Sequence, residues 1–332
     1  MNGRVVLGLS GGVDSAVAAA LLQREGWAVT GCYLDNGLPG WEGARRAAEE
    51  LKIPLLRRDI RRELEERVCA PFARSYLQGE TPSPCVLCNR EVKFPALLSA
   101  AEELGAEKIA TGHYARVRAG RIAMGCEEND QSYMLCRLDG GAVSRLLLPL
   151  GDLPKSRVRQ LARDMGLSVA DKADSMDICF IPDGDYAAYI ESRGVTPPPG
   201  DFLFHGEVVG QHRGIHHYTP GQRKRLGIAL GKRVYVSAID PEENTVTLSD
   251  DEEVWRRSIR VRDSVWNGSF ELPHRFAVRV RHTHHQSPDT LPTAVLHPDG
   301  TLLFDAPIRA PAPGQAAAFY EGDAVVGGGF IA

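Results

Sequence analysis

A glycine-rich turn near the start of the chain, Leu9-Ser-Gly-Gly-Val-Asp-Ser15, joins an apolar run to a helical one. Arg4–Leu9 has the apolar character of a buried strand, and Asp14–Gly26 carries apolar residues at helical spacing. Two adjacent glycines let backbone amides turn toward one point, and a helix N-terminus adds partial positive charge there. The turn therefore predicts an anion site at the carboxyl end of the first strand.

The type of anion site is narrowed by what the turn lacks. It has neither the lysine of GxxxxGK[ST] nor a GxGxxG pattern, so it is neither a P-loop nor a dinucleotide fingerprint. Ser10 and Ser15 can donate hydroxyl hydrogen bonds, and Asp14 is expected to orient the loop or meet a bound Mg²⁺. The alternative is an ordinary strand–turn–helix in which Ser or Asp only caps the helix.

The same strand–helix alternation continues to about residue 195, and predicts an α/β fold with a doubly wound, mostly parallel sheet. Thr196-Pro-Pro-Pro-Gly200 breaks this pattern, because three prolines cannot continue a helix. The short runs beyond it, separated by Gly, Pro, Asp and Asn, predict two small β-rich domains. We place the domains at 1–196, 197–251 and 252–332. The expected strands of the first domain are Arg4–Leu9, Ala28–Leu34, Pro54–Asp59 and Lys108–Thr111, and its helices Asp14–Gly26, Trp41–Leu51, Arg61–Leu77, Glu91–Leu104, Asp152–Met165 and Asp185–Arg193.

The seven cysteines are an odd number, and no apolar run reaches the roughly 20 residues that span a bilayer. The first residues also lack a signal-peptide layout, so we expect a cytoplasmic location and no membrane association. In that compartment, cysteines are better interpreted as metal ligands or catalytic groups than as a disulfide framework. Four of them have apolar or helical surroundings that predict simple packing: Cys32, Cys69, Cys126 and Cys136.

Cys85 and Cys88 do not fit that packing interpretation. They form a Cys-x-x-Cys after two prolines, and Asn89 follows as an expected cap of the next helix. Thiols near a helix start have lowered pKa values, which makes them better nucleophiles and metal ligands. A third candidate, Cys179, lies in Ile178-Cys-Phe-Ile181.

Two basic segments stand out in a chain of net charge −4. Residues 205–235 carry six Lys or Arg against one Glu, and residues 255–285 carry seven Arg against two acidic residues. Such segments indicate phosphate-binding surfaces, whereas the plainer alternative is a solvated strand face. His282, His284 and His285 have no nearby Cys or carboxylate to complete a metal site, so we expect them to face RNA or solvent.

Seven motifs occur in order along almost the whole chain: Ser10-Gly-Gly-Val-Asp-Ser15, Cys88-Asn-Arg-Glu-Val-Lys-Phe94, Ala110-Thr-Gly-His-Tyr-Ala115, Asp130-Gln-Ser-Tyr133, Ile178-Cys-Phe-Ile181, Tyr218-Thr-Pro-Gly-Gln-Arg223 and Pro313-Gly-Gln315. Together they resemble the tRNA-specific 2-thiouridylase family of the N-type ATP pyrophosphatase (PP-loop) superfamily. Members of that family adenylate O2 of wobble uridine 34 in tRNA, release pyrophosphate and replace the oxygen with sulfur.

The resemblance implies an ATP- and Mg²⁺-dependent transferase with specific site residues. Cys88 would be the nucleophile and Cys179 the persulfide-bearing cysteine. The tRNA would be a wobble-uridine acceptor for Lys, Glu or Gln, and sulfur would come from a donor or relay protein or from inorganic sulfide. ATP would contact Gly8, Leu9, Ser10, Gly11, Gly12, Val13, Asp14, Ser15, Leu34 and Gly112. The tRNA would contact Ser83, Pro84, Cys85, His113, Asn129, Asp130, Gln131, Arg281, His282 and Gln315.

One departure from the family pattern concerns Cys85, where many members carry an Asp that is assigned a proton-transfer role. A third thiol allows Cys85, Cys88 and Cys179 to hold a [4Fe–4S] cluster with one open iron, which we favour over a Cys179 persulfide. Structural zinc is less favoured because it needs a fourth ligand. A Cys88–Cys179 disulfide is an expected oxidised product. Two other functions stay open: a PP-loop amidating synthetase, and a tRNA-binding iron–sulfur module with a degenerate ATP site.

Overall fold

The computed structural model describes residues 2–126, 129–172, 178–281 and 287–332. Its strands, numbered along the chain, are β1 (Arg4–Gly8), β2 (Ala28–Asp35), β3 (Leu55–Asp59), β4 (Lys108–Ala110), β5 (Ala115–Arg118), β6 (Arg121–Met124), β7 (Leu146–Leu147), β8 (Gly200–Phe204), β9 (Glu207–His212), β10 (Tyr235–Asp240), β11 (Thr245–Ser249), β12 (Trp255–Trp266), β13 (His274–Arg279), β14 (Thr293–Leu296), β15 (Thr301–Arg309), β16 (Ala316–Glu321) and β17 (Ala324–Ile331). The α-helices in these ranges are α1 (Val13–Arg24), α2 (Trp41–Leu51), α3 (Arg61–Leu64), α4 (Ala70–Leu77), α5 (Pro84–Cys88), α6 (Phe94–Glu103), α7 (Gly140–Ser144), α8 (Lys155–Asp164) and α9 (Tyr186–Glu191). No described helix is long and apolar enough to cross a membrane.

The first sheet is parallel and has the strand order β3-β2-β1-β4-β7. Its centre is β1, where Val5, Val6 and Leu7 have no exposed surface. Helices α1 and α8 cover one face and α6 covers the other, so β1 is buried on both sides. Strand order reverses at β1, which places the β1–α1 turn at the switch point where ligands bind in such sheets. The predicted doubly wound sheet is confirmed.

Two π-helical turns shape the helices that follow β3. Each turn, Glu65–Cys69 and Asn89–Lys93, ends two residues before a proline, Pro71 or Pro95. A proline ring clashes with the carbonyl four residues earlier and has no amide to donate, and a widened turn relieves both problems. The helical run through Cys88 therefore begins at Pro84 and continues past Pro95, whereas the sequence predicts a start at Glu91.

The central β-rich unit is a four-stranded sheet in the order β10-β11-β8-β9. Its core contains Phe202, Tyr218, Val236 and Val246. Gly206, with φ +82°, forms the turn that joins β8 to β9.

The last β-rich unit closes on itself, because β12 pairs with both β15 and β17. Its sheet has the order β12-β15-β14-β13-β16-β17-β6-β5, so the hairpin β5–β6 of the first domain extends it. The link is the pairing of Ala123 with Ala324. The first and last parts of the chain thus share one sheet, and the predicted β-rich architecture after the parallel sheet is confirmed.

Candidate active site

The turn between β1 and α1, Gly8–Ser15, which we name the phosphate loop, is braced from within. The Ser15 hydroxyl donates to the Gly12 carbonyl over 3.1 Å and accepts from the Ser10 amide over 3.2 Å. Gly11 has φ +74°, and a Cβ there would lie 2.5 Å from the backbone of Gly43 and Ala44, so only glycine fits. The first amides of α1 lack preceding carbonyl partners by helix geometry, and they point toward the loop.

Two lysines contact the phosphate loop, one at the start of α8 and one after its end. Lys155 Nζ lies 2.7 Å from both carboxylate oxygens of Asp14, and the Tyr114 hydroxyl donates to the same carboxylate. Lys172 Nζ donates to the Gly11 carbonyl over 2.9 Å. The sequence analysis missed both lysines, because they lie more than 140 residues beyond the loop. These contacts hold the Asp14 carboxylate in place, and its two expected roles, orienting the loop and meeting Mg²⁺, stay predictions.

Two further residues expected at the nucleotide lie beside the phosphate loop. A Cβ on Gly112 would lie 2.9 Å from the Asp14 carbonyl carbon and the Ser15 amide, so the segment after β4 packs directly on the start of α1. Leu34 is near the carboxyl end of β2, which neighbours β1 in the sheet. The fold therefore gathers Gly8, Leu9, Ser10, Gly11, Gly12, Val13, Asp14, Ser15, Leu34 and Gly112 along one sheet edge.

The cysteine pair lies on one short helix. Cys85 is in the first turn of α5 and is exposed, whereas Cys88 ends α5 and is half-buried. Asn89 does not cap the next helix as expected, because it has helical backbone angles within a continuous helical run. Its buried amide instead donates to the Met134 carbonyl over 2.9 Å and fixes the helix to the segment after β6.

The pKa values of these thiols move opposite to the sequence expectation. Burial raises the pKa of Cys88 to about 11, and the Lys93 ammonium lowers it only in part. Crowding by the surrounding protein also raises the pKa of Cys85, although its side chain reaches the surface. Desolvation of a thiolate outweighs the helix N-terminus here. Both thiols are therefore protonated near neutral pH in the free protein.

Cys179 completes the group that we name the thiol site: Cys85, Cys88 and Cys179. It is exposed in a turn closed by the Ile181 amide and the Ile178 carbonyl, and it lies close enough to raise the pKa of both other thiols. Cys69 is buried beside them and also raises the pKa of Cys88. None of these cysteines is paired with another, and the expected Cys88–Cys179 disulfide stays a prediction for an oxidised sample.

The sequence analysis expected Cys69 only to pack in the core, and nothing in its helical surroundings indicates a neighbouring site. Its burial is confirmed, as is that of Cys32 and Cys136, whereas Cys126 is half-buried. The unforeseen feature is therefore the proximity of Cys69 to the thiol site, which only the tertiary fold creates.

The segment before the thiol site is held by the last domain. Gln315 Nε2 donates to the carbonyls of Thr81 and Pro82 over 2.8 and 3.2 Å, and the Ser83 hydroxyl accepts from the Ala316 amide over 3.0 Å. Ser83 and Gln315 thus lie together at a domain contact. A cavity of about 250 Å³ opens beside them, and its wall includes Pro82, Ser83, Pro84, Leu87, Arg262 and Phe330.

His113 lies between the two halves of the site. Its Nδ1 lies 2.7 Å from the Thr111 hydroxyl, and its ring stacks on Phe94 at 6.1 Å between centroids. Burial, together with the Lys93 ammonium, holds the pKa of His113 well below its usual range. A neutral imidazole can exchange hydrogen bonds with a base, but it does not attract phosphate by charge.

Three expected tRNA contacts, Asn129, Asp130 and Gln131, occupy one loop after β6. Asp130 is 4% exposed, and its carboxylate accepts from the Gly125 amide, from Ser132 and from the buried Arg279 over 2.6 to 3.1 Å. Because these bonds are internal, the Asp130 carboxylate shapes the loop, and the expected contact of this residue with tRNA stays a prediction.

The same loop clamps the residue that supports Asp14. The Gln131 side chain accepts from the Tyr114 backbone amide through Oε1 over 3.0 Å, and the Gln131 backbone amide donates to the Tyr114 carbonyl over 2.8 Å. Asn129 is half-buried beside it.

The arginine expected at tRNA, Arg281, lies at a domain junction. It is half-buried and donates to the carbonyls of Pro220, in the central domain, and Ala310, in the last domain. Its side chain therefore holds two domains together, while His282, as well as His284 and His285, lies outside the described residues. All six cations of the first basic segment are exposed on the central domain: Arg213, Arg223, Lys224, Arg225, Lys232 and Arg233.

Comparisons with known proteins cover the whole chain. Family models match residues 3–183 (tRNA methyl transferase HUP domain), 192–250 (tRNA methyl transferase PRC-barrel domain) and 256–331 (aminomethyltransferase beta-barrel domain). The chain is 42% identical to the tRNA-specific 2-thiouridylase MnmA of Pelotomaculum thermopropionicum, covering 99% of this chain and 97% of that protein. It is 44% identical to the protein of the same name from Moorella thermoacetica, covering 98% of both chains.

A solved structure is also similar, though distantly. It is a 4-thiouridine synthetase–RNA complex with bound ATP, which is 18% identical with a TM-score of 0.37, covering 57% of this chain and 50% of that one.

Proposed function

The chain belongs to the tRNA-specific 2-thiouridylase family, and from that membership we propose that it converts wobble uridine 34 of tRNA to 2-thiouridine. It is a PP-loop enzyme, and its ATP-dependent reaction has two stages: adenylation of uracil O2 with release of pyrophosphate, and displacement of AMP by sulfur. The observation that carries the proposal is that one domain bears both a phosphate loop and a thiol site, with Leu34, at the carboxyl end of β2, packed in the same cluster as Cys88.

The first stage belongs to the phosphate loop. The amides at the start of α1 suit the phosphates of ATP, and Lys155 and Lys172 supply positive charge beside them. Asp14 offers the carboxylate oxygens that Mg²⁺ prefers. The Lys155 ammonium, 2.7 Å from this carboxylate, supports the proposal because it fixes the orientation of Asp14 beside the loop. We assign ATP and Mg²⁺ to this edge of the sheet.

The second stage belongs to the thiol site. Exposed Cys179 is suited to accept sulfane sulfur from a donor, while half-buried Cys88 is suited to a later step. The terminal sulfur of a Cys179 persulfide attacks C2 of the adenylated base, the C2–O bond breaks and AMP leaves with the oxygen. The Cys88 thiol then loses its proton and attacks Cys179 Sγ, so a Cys88–Cys179 disulfide forms and the electron pair of the broken S–S bond stays on the 2-thiouridine, which takes up that proton. An external thiol reductant restores the enzyme.

A [4Fe–4S] cluster is the second candidate for sulfur delivery, and the presence of Cys85 as a third thiol favours it. The cysteines do not form a group of three donor atoms within 4.8 Å of one another in the described residues, which speaks against a preformed zinc site. That limit does not apply to a cluster, because each thiolate binds a different iron. The donor set of Cys85, Cys88 and Cys179 therefore fits, and such a cluster would supply an open iron for hydrosulfide.

The tRNA surface is proposed on three sides of the thiol site. Ser83, Pro84 and Cys85 would meet the target base beside the 250 Å³ cavity, and His113, Asn129 and Gln131 would line the neighbouring wall. The exposed cations of the central domain would hold phosphates. The shape of this tRNA surface would be maintained by the internal bonds of Asp130, Arg281 and Gln315. His282 stays an expected contact with tRNA. The acceptor tRNAs for Lys, Glu and Gln, and a persulfide donor protein or inorganic sulfide, remain proposed partners.

Pyrophosphate release tests the proposal against its alternatives. With ATP and Mg²⁺, we expect release that requires an unmodified uridine-34 tRNA, and none with the same tRNA carrying cytidine at position 34. A tRNA-binding module with a degenerate ATP site would release no pyrophosphate. An amidating synthetase would release it with ammonia present and would not depend on Cys88, so Cys88→Ser would leave its product unchanged.

A further inference from the structure

Three metal-ligating side chains meet on the side of the molecule where the first domain joins the central one. Glu191 ends α9, and His216 and His217 lie in the 3₁₀ turn Ile215–His217 of the central domain. We propose that these three residues form a binding site for one Zn²⁺ ion that fastens α9 to the central domain. Neither the phosphate loop nor the thiol site includes any of them.

The distances suit a small tetrahedral ion. Glu191 Oε1 lies 3.0 Å from His216 Nε2 and 3.3 Å from His217 Nε2. All three ligand atoms lie within 4.8 Å of one another. Zinc bonds of about 2.0–2.1 Å at tetrahedral angles put neighbouring ligand atoms about 3.3 Å apart. The group therefore needs only small side-chain shifts to take up the ion.

Burial favours an ion over solvent on the histidine side. The His216 side chain is fully buried, so its Nε2, which faces Glu191, is shielded from water. Its ring is packed so closely that a Cβ on Gly214 would lie 2.7 Å from its Cε1. The Glu191 carboxylate, by contrast, is 37% exposed, which leaves a path for the ion and for a water as fourth ligand.

The chemistry of the donors selects zinc over the harder cations. Two imidazole nitrogens and one carboxylate oxygen are the ligands of His₂Glu zinc sites, whereas Mg²⁺ and Ca²⁺ prefer oxygen alone. In the metal-free state, the His216 and His217 rings both direct Nε2 at the same Glu191 carboxylate oxygen. A cation between the three side chains would be bound by all three of these atoms.

The position of the site gives the ion a structural role. The ligands come from both sides of Pro197–Pro199, so the ion closes a loop across the linker between the domains. Helix α9 also packs on the segment after Cys179, where the Tyr189 and Phe180 rings lie 5.4 Å apart. Fixing α9 therefore steadies the segment next to the thiol site.

The test measures metal retention in a protein from which competing ligands have been removed. Untagged protein carrying Cys85→Ser, Cys88→Ser and Cys179→Ser is stripped with a chelator, given one equivalent of Zn²⁺ and passed over a desalting column. Mass spectrometry of the metal should find close to one Zn²⁺ per chain. Co²⁺ in its place should give the visible absorption of a tetrahedral site without a thiolate band.

Variants identify the ligands. Glu191→Gln keeps a side-chain oxygen that accepts from both rings, so the fold is preserved while the charge of the ligand is lost. We expect the affinity for Zn²⁺ to fall by more than about tenfold, because changing a residue that only supports a metal ligand already costs about that much. His217→Gln should behave alike. His205→Gln is the matched control, since His205 is an exposed histidine of the same domain beside Asp250. Absence of retained zinc in the parent protein, or equal retention in all three variants, would overturn the proposal.

Limited proteolysis tests the structural role separately. Trypsin cleavage after Arg193, at the end of α9, should slow several-fold when Zn²⁺ is added to the parent protein and should not change in Glu191→Gln. Zinc retention with unchanged cleavage would overturn the fastening role.

Discussion

Gln315, seventeen residues before the end of the chain, donates a hydrogen bond to the carbonyl of Thr81 over 2.8 Å, just before the helix that carries Cys85 and Cys88. The last domain therefore sets the position of the thiol site. An ion pair of 2.7 Å between Arg262 of β12 and Glu80 joins the same two parts of the chain. We therefore expect sulfur transfer to depend on the docking of a domain that bears no cysteine.

Gln315→Ala should slow sulfur transfer more than nucleotide binding. The variant loses two hydrogen bonds, which lowers the free energy of unfolding by about 1–3 kcal/mol. Loosening the segment before Cys85 should reduce 2-thiouridine formation by about 10- to 100-fold, the cost of misplacing reacting groups by about 1 Å. ATP binding, measured by calorimetry, should not change. Gln211→Ala, an exposed glutamine on β9, is the control, and equal loss in both variants would contradict the coupling.

Asp14→Asn should abolish adenylation while leaving tRNA affinity intact. It removes the ion pair to Lys155 and the proposed Mg²⁺ ligand together. We expect pyrophosphate release to fall by at least about 10²-fold, as when one preorganised electrostatic contact is removed. Filter binding of tRNA should match wild type and the control Asp164→Asn, an exposed residue of α8. A parallel loss of tRNA affinity would place Asp14 on the RNA surface instead.

Alkylation of Cys88 should report its raised pKa. Burial favours the neutral thiol, so the pKa of Cys88 in the folded protein rises from the usual value of 9.0 to about 11. Because only the thiolate reacts, labelling of Cys88 by iodoacetamide should rise about tenfold per pH unit between pH 8 and 10. N-acetylcysteine, the control, should level off near pH 9. A plateau for Cys88 below pH 8 would show a stabilised thiolate and restore the sequence expectation.

The raised pKa of Cys88 also makes the free energy of unfolding depend on pH. The folded state holds the Cys88 proton more tightly than the unfolded chain, so the stability gained from this proton is present below about pH 9 and is lost as pH rises toward 11. Cys88→Ser should therefore flatten the decline of unfolding free energy over that window, as measured by urea denaturation at each pH.

Salt dependence of tRNA binding should separate the exposed cations from Arg281. Replacing Arg223, Lys224 and Arg225 by Ala should lower the log–log salt slope by about 0.7–0.9 for each lost phosphate contact. Arg281→Ala should weaken binding and leave the slope nearly unchanged, because its described bonds are to two carbonyls. Arg275→Ala is the control, since Arg275 is exposed but paired with Asp305. A slope change in Arg281→Ala alone would return Arg281 to the interface.

Local features of this chain were predictable, and long-range ones were not. The phosphate loop follows from two glycines between a buried strand and a helix, all within about twenty residues. The ties from Lys155 to Asp14 and from Gln315 to Thr81 join residues 141 and 234 positions apart, and no local pattern marks them. The thiol site was identified through the resemblance to a family, because spacing alone does not bring Cys179 to Cys88.

The errors have physical reasons of the same kind. Helix-start reasoning predicted lowered thiol pKa values, but burial, which depends on the tertiary fold, dominates them. The resemblance placed Asp130 and Arg281 at tRNA. Their side chains bond internally, to Arg279 and to two backbone carbonyls, and no local pattern marks those partners. The hairpin β5–β6 escaped notice because its strands have four residues each and pair with the far end of the chain.

The role of Cys85 separates the two routes for sulfur. By the persulfide route, Cys85→Asp restores the commoner family residue, and 2-thiouridine formation should hold or rise; Cys85→Ala should be nearly silent. By the cluster route, Cys85→Asp should lower the iron content after anaerobic reconstitution, because a carboxylate is a poorer partner for this iron site than a thiolate. Iron content and product, measured together in the three proteins, distinguish these outcomes.

The most direct test of the account is a single turnover without iron. Chelator-treated protein is loaded with persulfide sulfur, freed of excess donor and mixed with ATP, Mg²⁺ and a uridine-34 tRNA, after which nucleosides and peptides are analysed by mass spectrometry. The account predicts 2-thiouridine at position 34, matched by one AMP and one Cys88–Cys179 disulfide for each product, and no product from Cys179→Ser. Product that requires added iron and leaves Cys88 and Cys179 reduced would contradict it, and so would ATP cleavage that leaves the tRNA unmodified.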